Sequence, residues 1–160
     1  MKSTCCKEDI RSGCSVNYGL EIFGDKWSLL IVRDIVFAGK KTYGEFLNSE
    51  EGFATNVLAS RLAFLEEQGI LSKTPSSADR RKDFYALTEK GLDLIPILLN
   101  IVLWSAKHGP KSYKRRRKEF VVRLNRSARR VSEEVKELVR NGGCIFPQER
   151  MSKTAAVRSA

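Results

Sequence analysis

The sequence predicts a mainly α-helical fold with a small two-stranded β hairpin. Apolar residues recur at helical spacing through much of residues 16–68 and again through residues 88–108. Between these stretches, two short runs that read as strands, 70–74 and 84–87, flank a polar segment too long for a tight turn. The predicted order is helix, helix, helix, strand, hairpin, strand, helix, with residues 16–37 counted as one helical stretch. Three helices followed by a two-stranded wing form a winged helix-turn-helix.

Length and composition fit one globular domain with some extra chain. Of the 160 residues, 42% are hydrophobic and 30% are charged. No apolar run reaches the about 18 residues that a membrane span requires, and residues 1–14 lack the apolar stretch of a signal peptide. We therefore expect a cytoplasmic protein without a membrane partner.

The excess positive charge lies in one part of the chain. The formal net charge is +10, but residues 1–110 carry 14 basic and 14 acidic side chains. Residues 111–160 carry 15 basic and 5 acidic ones and so supply the whole excess. A basic protein often binds nucleic acid. Here the charge is concentrated in a tail, so net charge does not locate a binding surface on the domain.

The cysteines and the single histidine do not form a metal or catalytic site. Cys5, Cys6, Cys14 and Cys144 are expected to be reduced thiols in the cytoplasm. Cys5 and Cys6 are adjacent, no CxxC motif occurs, and His108 is the one histidine, which does not match zinc-ligand spacing. The sequence also has no Ser/His/Asp set and no glycine-rich phosphate loop. We expect no metal, no cofactor and no catalytic residue.

Helix boundaries in the first half of the chain are marked by short signals. Gly24 divides residues 16–37 into two helices, with Asp25 placed to cap the second and Gly39 to end it. Thr42 and Glu45 form a capping-box pattern, which opens a short third helix. These signals place a helix-turn-helix before the wing.

The helix predicted over residues 55–68 has the pattern of a DNA-reading helix. Three leucines recur at positions i, i+4 and i+7, so they form one stripe on the helix that is expected to be buried: Leu58, Leu62 and Leu65. A helix enters the major groove when the face opposite its packed side carries short polar groups. The outward residues fit this requirement, with an arginine to one side that could hold a phosphate or guanine; the predicted reading surface is Thr55, Asn56, Ala59, Ser60 and Arg61. Taken alone, the same pattern also suits an ordinary amphipathic surface helix.

Cationic residues at the wing tip and before the third helix are the other candidate DNA contacts. Arg80, Arg81 and Lys82 lie in the polar hairpin, and cationic side chains on a thin ribbon can reach the narrow minor groove. A solvated charge cluster is the alternative. Weaker candidates for phosphate contacts precede and begin the third helix: Lys40, Lys41, Thr42 and Tyr43.

The helix predicted over residues 88–108 suggests a homodimer. Thr88 caps it, Pro96 is expected to bend it, and ten of the 13 residues from Leu92 to Trp104 are hydrophobic. A helix that is apolar nearly all round must be covered on more than one side. A twin helix from a second subunit would do this, with burial in one subunit as the alternative. The predicted interface is Ile95, Leu98, Leu99, Val102 and Leu103.

The sequence after residue 109 predicts a basic extension. Six of the eight residues at 111–118 are basic, and apolar residues then recur at helical spacing up to Leu138. We expect four segments: a mobile N-terminal segment (1–13), the winged-helix domain (14–109), a basic amphipathic helical extension (110–146) and a disordered tail (147–160). The extension could pack on the dimer, add phosphate contacts, bind an anionic membrane or remain solvated.

Over residues 14–108 the chain resembles the HxlR-type winged-helix regulators, relatives of the MarR-like repressors. The matching stretches are CSV at 14–16, GDKWSLLI at 24–31, FATNVLASRL at 53–62, LEEQGI at 65–70 and YALTEKG at 85–91. The resemblance implies a homodimer that binds an inverted repeat in double-stranded promoter DNA, as a repressor or an activator, and associates with the nucleoid when bound. Ser15, where the family usually has proline, and the long tail depart from the pattern.

Cys14 is the candidate sensor residue. It precedes the first predicted helix, and a helix N-terminus favours the thiolate that reacts with oxidants. The resemblance implies that a cysteine here senses oxidants or electrophiles through an intersubunit disulfide or an adduct, so an oxidant or small-molecule effector is allowed. The alternative is a buried structural cysteine.

Two other classes of protein compete with a transcriptional regulator. A winged-helix adaptor would bind protein or RNA, but a protein-binding face should be more apolar than Thr55, Asn56 and Ser60. A thiol oxidoreductase using Cys14 would lack the CxxC motif. The sequence therefore favours a DNA-binding regulator that is not an enzyme.

Overall fold

The computed structural model describes residues 13–76, 82–110 and 118–147. Its elements follow the predicted order and continue into the extension. They are α1 (Ser15–Phe23), α2 (Ser28–Ala38), α3 (Tyr43–Leu47), α4 (Thr55–Glu67), β1 (Leu71–Pro75), β2 (Asp83–Leu87), α5 (Glu89–Leu92), α6 (Ile95–His108), α7 (Lys118–Arg126) and α8 (Ala128–Arg140).

Local signals set the ends of α1, α2 and α3 as predicted. The Asp25 carboxylate accepts hydrogen bonds from the backbone N–H groups of Trp27 (2.8 Å) and Ser28 (3.0 Å) at the start of α2. Gly39 ends that helix in the left-handed region, with φ of +69°. Thr42 and Glu45 form both halves of the capping box that opens α3.

The wing is a two-stranded antiparallel sheet in which Leu71 pairs with Leu87 and Pro75 with Asp83. An isolated bridge between Thr42 and Phe84 ties the segment before α3 to the outer side of this hairpin. The wing therefore packs beside the helix-turn-helix.

The core lies where α2, α4 and α6 meet, and it continues into the extension. Leu58, Leu62 and Leu65 of α4 are buried, as the predicted stripe requires. The same apolar cluster includes four residues of α7 and α8: Leu124, Val131, Val135 and Val139. The described part of the extension, residues 118–146, is thus packed on the winged-helix domain rather than solvated.

Two predicted helices are each divided in the structure. The helix expected over residues 88–108 is interrupted at Asp93 and Leu94, and Pro96 lies in the first turn of α6 instead of bending a longer helix. A proline is tolerated in a first turn because its missing N–H would have no helical acceptor there. The single helix expected in the extension breaks at Ser127, whose backbone lies outside the helical region (φ −157°, ψ 78°).

No helix in the described part of the chain combines the length and the apolar character needed to cross a bilayer.

Candidate nucleic-acid interface

Helix α4 presents a polar face to solvent, opposite its buried leucines. Thr55, Asn56, Ala59 and Ser60 are all exposed. They lie at the N-terminal half of the helix, the part that a helix-turn-helix directs at base edges. An asparagine can bind an adenine edge through two hydrogen bonds, and a small alanine allows the backbone to approach the groove. The geometry therefore suits direct readout of a DNA sequence.

Arg61 has partners within the protein. Its guanidinium lies 3.5 Å from the Asp25 carboxylate and stacks over the Phe64 ring, with 5.1 Å between the guanidinium carbon and the ring centroid. The residue is half-buried. Arg61 therefore fastens α4 to the start of α2 in the unbound protein, and reaching DNA would require it to leave Asp25.

The four weaker phosphate candidates have different surroundings. Lys41 is exposed, whereas the Lys40 side chain is only 12% exposed and its Nζ lies 2.9 Å from the Asp34 carboxylate. The Thr42 side chain caps α3, and the Tyr43 hydroxyl donates to the Thr55 carbonyl at 3.0 Å. Lys41 is thus the most exposed of the four, although its Nζ donates to the Gly142 carbonyl at 3.2 Å, while the Tyr43 hydroxyl links α3 to α4.

A buried polar network behind α4 was not predicted from the sequence. The Asp34 carboxylate, 4% exposed, accepts hydrogen bonds from Lys40 Nζ (2.9 Å), Arg33 Nε (2.9 Å) and the Ser49 hydroxyl. Arg33 also pairs with both oxygens of Glu51. Ser49 and Glu51 lie in the turn between α3 and α4, so the network joins that turn to α2. The available signal was the adjacent Arg33 and Asp34 within a mostly apolar helix.

The pairing of Arg33 with Glu51 shifts the pKa values of both side chains. The hydrogen bond from Arg33 lowers the pKa of Glu51 below its ordinary value, despite some opposing desolvation. Burial opposes the charge of Arg33, but its bonds to Glu51 and Asp34 raise its pKa further above the ordinary value. Both groups are therefore charged across the physiological range, and the turn stays tethered to α2.

The wing is described up to the base of its tip. Lys73 and Asp83 form an ion pair across the strands at 2.9 Å. Lys82 is exposed, and its carbonyl accepts a hydrogen bond from the Ser76 N–H at 2.8 Å. Arg80 and Arg81 lie outside the described residues. Their contact with DNA stays a prediction.

The junction between the wing and α5 holds the end of α4. The Thr88 hydroxyl accepts from the Gly91 N–H (3.1 Å) and donates to the Gly69 carbonyl (2.6 Å). Lys90 Nζ donates to the Gln68 carbonyl at 2.8 Å. A Cβ at Gly91 would lie 2.2 Å from the Ile70 carbonyl oxygen, so a side chain does not fit there. This explains why threonine, lysine and glycine occur together at residues 88–91.

Helix α6 divides the predicted dimer residues into two groups. Ile95, Leu98 and Leu99 are buried in the core of the same chain, whereas Val102 and Leu103 are half-buried. The apolar side chains that face solvent are Ile97 (38% exposed), Ile101 (43%) and Trp104 (66%). An interface on α6 would therefore be built on the Ile97, Ile101 and Trp104 face, because the first three predicted residues are already covered.

The cysteines that the structure describes have contrasting positions. Cys14 is exposed directly before α1, and its carbonyl accepts the Tyr18 N–H at 3.1 Å. Cys144 is half-buried against Gly39. Neither is in a disulfide. Cys5 and Cys6 lie outside the described residues. Cys14 is thus accessible to a reagent in solution.

Helices α2, α3 and α4, a two-stranded wing and a polar exposed face on α4, the second helix of the helix-turn-helix, define a winged helix-turn-helix protein. The family model for the HxlR-like helix-turn-helix matches residues 22–113. The chain belongs to the HxlR-like helix-turn-helix family, and similar proteins are named as HTH-type transcriptional regulators, a class that is not enzymatic.

Relatives and solved structures agree with this assignment. An uncharacterised HTH-type transcriptional regulator of Mycobacterium tuberculosis is 35% identical over 99 residues, covering 62% of this chain and 61% of the relative. The crystal structure of PA1607, a candidate transcription factor, is 35% identical with a TM-score of 0.56, covering 62% of this chain and 68% of that one. The redox regulator HypR in its oxidised form is 26% identical with a TM-score of 0.54, covering 61% and 99%.

Proposed function

We propose that this winged-helix regulator binds double-stranded promoter DNA in a sequence-specific manner, as a homodimer on inverted-repeat sites. The observation that carries the proposal is the exposed polar face of α4, where Thr55, Asn56, Ala59 and Ser60 stand opposite a buried leucine stripe. In this fold the face lies at the position from which a recognition helix enters the major groove.

The surroundings of α4 support a preformed reading surface. Arg61 and Tyr43 fix the helix against α2 and α3, and the Asp34 network holds the preceding turn. Binding to DNA then costs little ordering of the backbone, which favours affinity and specificity. Arg80 and Arg81 of the wing would add contacts in the minor groove, and Lys41 would meet a phosphate.

Two exposed apolar faces support assembly as a dimer. Ile97, Ile101 and Trp104 line one side of α6, and Val16 (67% exposed) and Leu20 (57%) stand on α1. Exposed apolar patches of this kind commonly mark interfaces. A two-fold dimer would place two copies of α4 about 34 Å apart, one turn of DNA, and so favour an inverted repeat.

Cys14 gives the proposed regulator a redox input. It is exposed, and the similar protein HypR is a redox regulator. A diazene oxidant such as diamide would take two electrons and two protons from two Cys14 thiols, leaving an intersubunit disulfide and the reduced hydrazine. A quinone would instead form a carbon–sulfur bond with the thiolate, the ring oxygen taking up a proton. Either change at α1 could alter the dimer and with it the spacing of the α4 helices.

Selection from random DNA tests the proposed function. The purified full-length chain should enrich an inverted repeat whose two halves are centred about one helical turn apart. Recovery of unrelated sequences, with binding that depends on salt but not on sequence, would show that the protein is not a sequence-specific regulator.

The same selected site tests the redox input. Diamide should change the affinity of the wild-type chain for that site and leave Cys14→Ser unaffected, with Cys144→Ser responding as the wild type does. An equal response of Cys14→Ser and wild type would exclude Cys14 as the sensor.

A further inference from the structure

We propose that the turn at residues 141–146, beyond the matched family domain, is a cap on α2 that positions the start of the helix-turn-helix. The family match ends at residue 113, so no role is assigned to this turn by the comparison. The inference rests on the proposed DNA-binding function for its effect on affinity, whereas its structural part is independent of DNA.

The turn provides hydrogen-bond donors for the last carbonyls of α2. The Ile145 N–H donates to the Val36 carbonyl at 2.9 Å, and the Phe146 N–H donates to the Phe37 carbonyl at 2.8 Å. The last four carbonyls of a helix have no partner inside it. Val36 and Phe37 are buried, with 0% and 4% exposure, so carbonyls left unpaired there would be costly. The extension thus completes a helix that ends more than 100 positions earlier in the chain.

An aromatic cluster holds the turn against α2. Phe146 stacks on Phe37, with ring centroids 5.9 Å apart and planes at 29°. Phe120 of α7 meets both rings edge-on, at 6.1 Å from Phe37 and 5.5 Å from Phe146. Such aromatic pairs stabilise beyond the area they bury. The turn is therefore anchored on one side by Phe120 of α7 and on the other by Phe37 of α2.

The segment that the turn touches leads directly into the helix-turn-helix. Cys144 packs against Gly39, where an added Cβ would lie 2.9 Å from the Cys144 Sγ. Lys41 Nζ donates to the Gly142 carbonyl at 3.2 Å. The Lys41 carbonyl in turn accepts the Tyr85 N–H of the wing at 2.7 Å. One short segment, residues 39–42, thus connects the turn at 141–146, the wing and the start of α3.

A change in the turn should consequently destabilise residues 39–47 more than the rest of the domain. Loss of the cap frees the end of α2 and Gly39, which allows α3 to shift relative to the wing. Helix α4 packs on β1 as well as on α2 and α3, so α4 itself should remain folded when the end of α2 is loosened. Loosening confined to residues 39–47 would show that the turn positions this segment, whereas loosening throughout the domain would show only a contribution to overall stability.

Amide hydrogen exchange on the full-length chain tests the cap. Phe146→Ala should raise the exchange rate of the Gly39 and Lys40 amides about tenfold or more and leave the interior amides of α4 and α6 unchanged. Phe146→Leu keeps apolar volume and should give an intermediate rate. Pro147→Ala, at the exposed neighbouring position, is the control and should behave as the wild type.

Two results would overturn the cap. One is unchanged exchange at residues 39–47 in Phe146→Ala; the other is an increase of equal size throughout α2, α4 and α6, which would show only global destabilisation. On a site selected by the wild type, Phe146→Ala should also bind about tenfold more weakly at a temperature where it is fully folded, and wild-type affinity would contradict the positioning role. If the wild type selects no DNA sequence, the proposed function fails while the exchange comparison still decides the cap.

Discussion

Asp34 places a carboxylate on the buried side of the mostly apolar helix α2, and its partners bring the turn between α3 and α4 onto α2. Arg33 and Lys40 balance the charge, and the Ser49 hydroxyl donates directly to it. A buried charge is tolerated when it is paired and hydrogen-bonded. Glu51, at the rim of this network, is the member whose protonation can be tested in solution.

Replacement of Glu51 by glutamine should change how stability depends on pH. Arg33 holds the pKa of Glu51 below its ordinary value, so the pairing stabilises the fold above about pH 4.5 and is lost as pH falls through the lower folded value. Glu51→Gln should therefore lower the melting temperature at pH 7 by an amount that shrinks toward pH 3. Partial exposure limits the effect to about 1 kcal/mol or less.

The exposed neighbour Glu50 provides the matched control for this comparison. Glu50→Gln should leave the melting temperature nearly unchanged at both pH values. A difference between Glu51→Gln and wild type that is the same at pH 7 and pH 3 would argue against the Arg33 pairing as its cause.

At the scale of elements, those with local signals could be predicted from the sequence. The capping box of α3, the leucine stripe of α4 and the glycine at the end of α2 each depend on neighbours within a few residues. The break between α5 and α6, the break at Ser127 and the cap from Ile145 onto α2 depend on distant parts of the chain. Periodicity alone could not locate them, because apolar spacing continues across both breaks.

The candidate site also has features that could be predicted from local sequence and features that depend on distant parts of the chain. The exposed polar face of α4 follows from helical spacing, so Thr55, Asn56, Ala59 and Ser60 could be named from the sequence. That Lys40 faces Asp34, and Arg61 faces Asp25, depends on how separate helices pack. The sequence alone does not show whether a basic side chain pairs with an acidic residue of the same protein or remains available to DNA.

Substitution of Gly91 should disrupt the junction between the wing and α5. A Cβ there would lie 2.2 Å from the Ile70 carbonyl oxygen and 3.0 Å from the Leu87 side chain, so backbone must move. Gly91→Ala should lower the free energy of unfolding by about 2 kcal/mol or more, measured by urea denaturation. Gly44→Ala is the control, because nothing lies within 4 Å of its Cβ. Equal stabilities of the two variants would mean that the junction tolerates a side chain.

At the scale of the whole molecule, the exposed apolar face of α6 predicts the oligomeric state. Trp104→Glu places a charge at the most exposed residue of the Ile97, Ile101 and Trp104 face, where burial in an interface would be costly. The wild type should sediment as a dimer at micromolar concentration and Trp104→Glu as a monomer. Leu138→Glu, also at an exposed apolar residue but on α8, should stay dimeric. A wild-type monomer would contradict the dimer.

The excess positive charge lies outside the winged-helix domain, so it would affect general affinity for DNA rather than sequence specificity. Residues 1–110 are neutral overall, while residues 111–160 carry the whole excess of +10. Phosphate attraction from the basic region would be independent of sequence and sensitive to salt. Under the proposed function, discrimination between sequences would come from α4 and the wing, which makes α4 the place to test the proposal.

The most direct test is the affinity of Asn56→Ala for the selected inverted repeat and for unrelated DNA, measured by titration at fixed salt. Loss of a bidentate base contact is worth about 1–3 kcal/mol, so specific binding should weaken about tenfold or more per half-site, with unrelated DNA bound as by the wild type. Asn48→Ala, at the exposed end of α3, is the control. Wild-type affinity of Asn56→Ala for the selected site, or an equal loss on both DNAs, would contradict the reading role of α4.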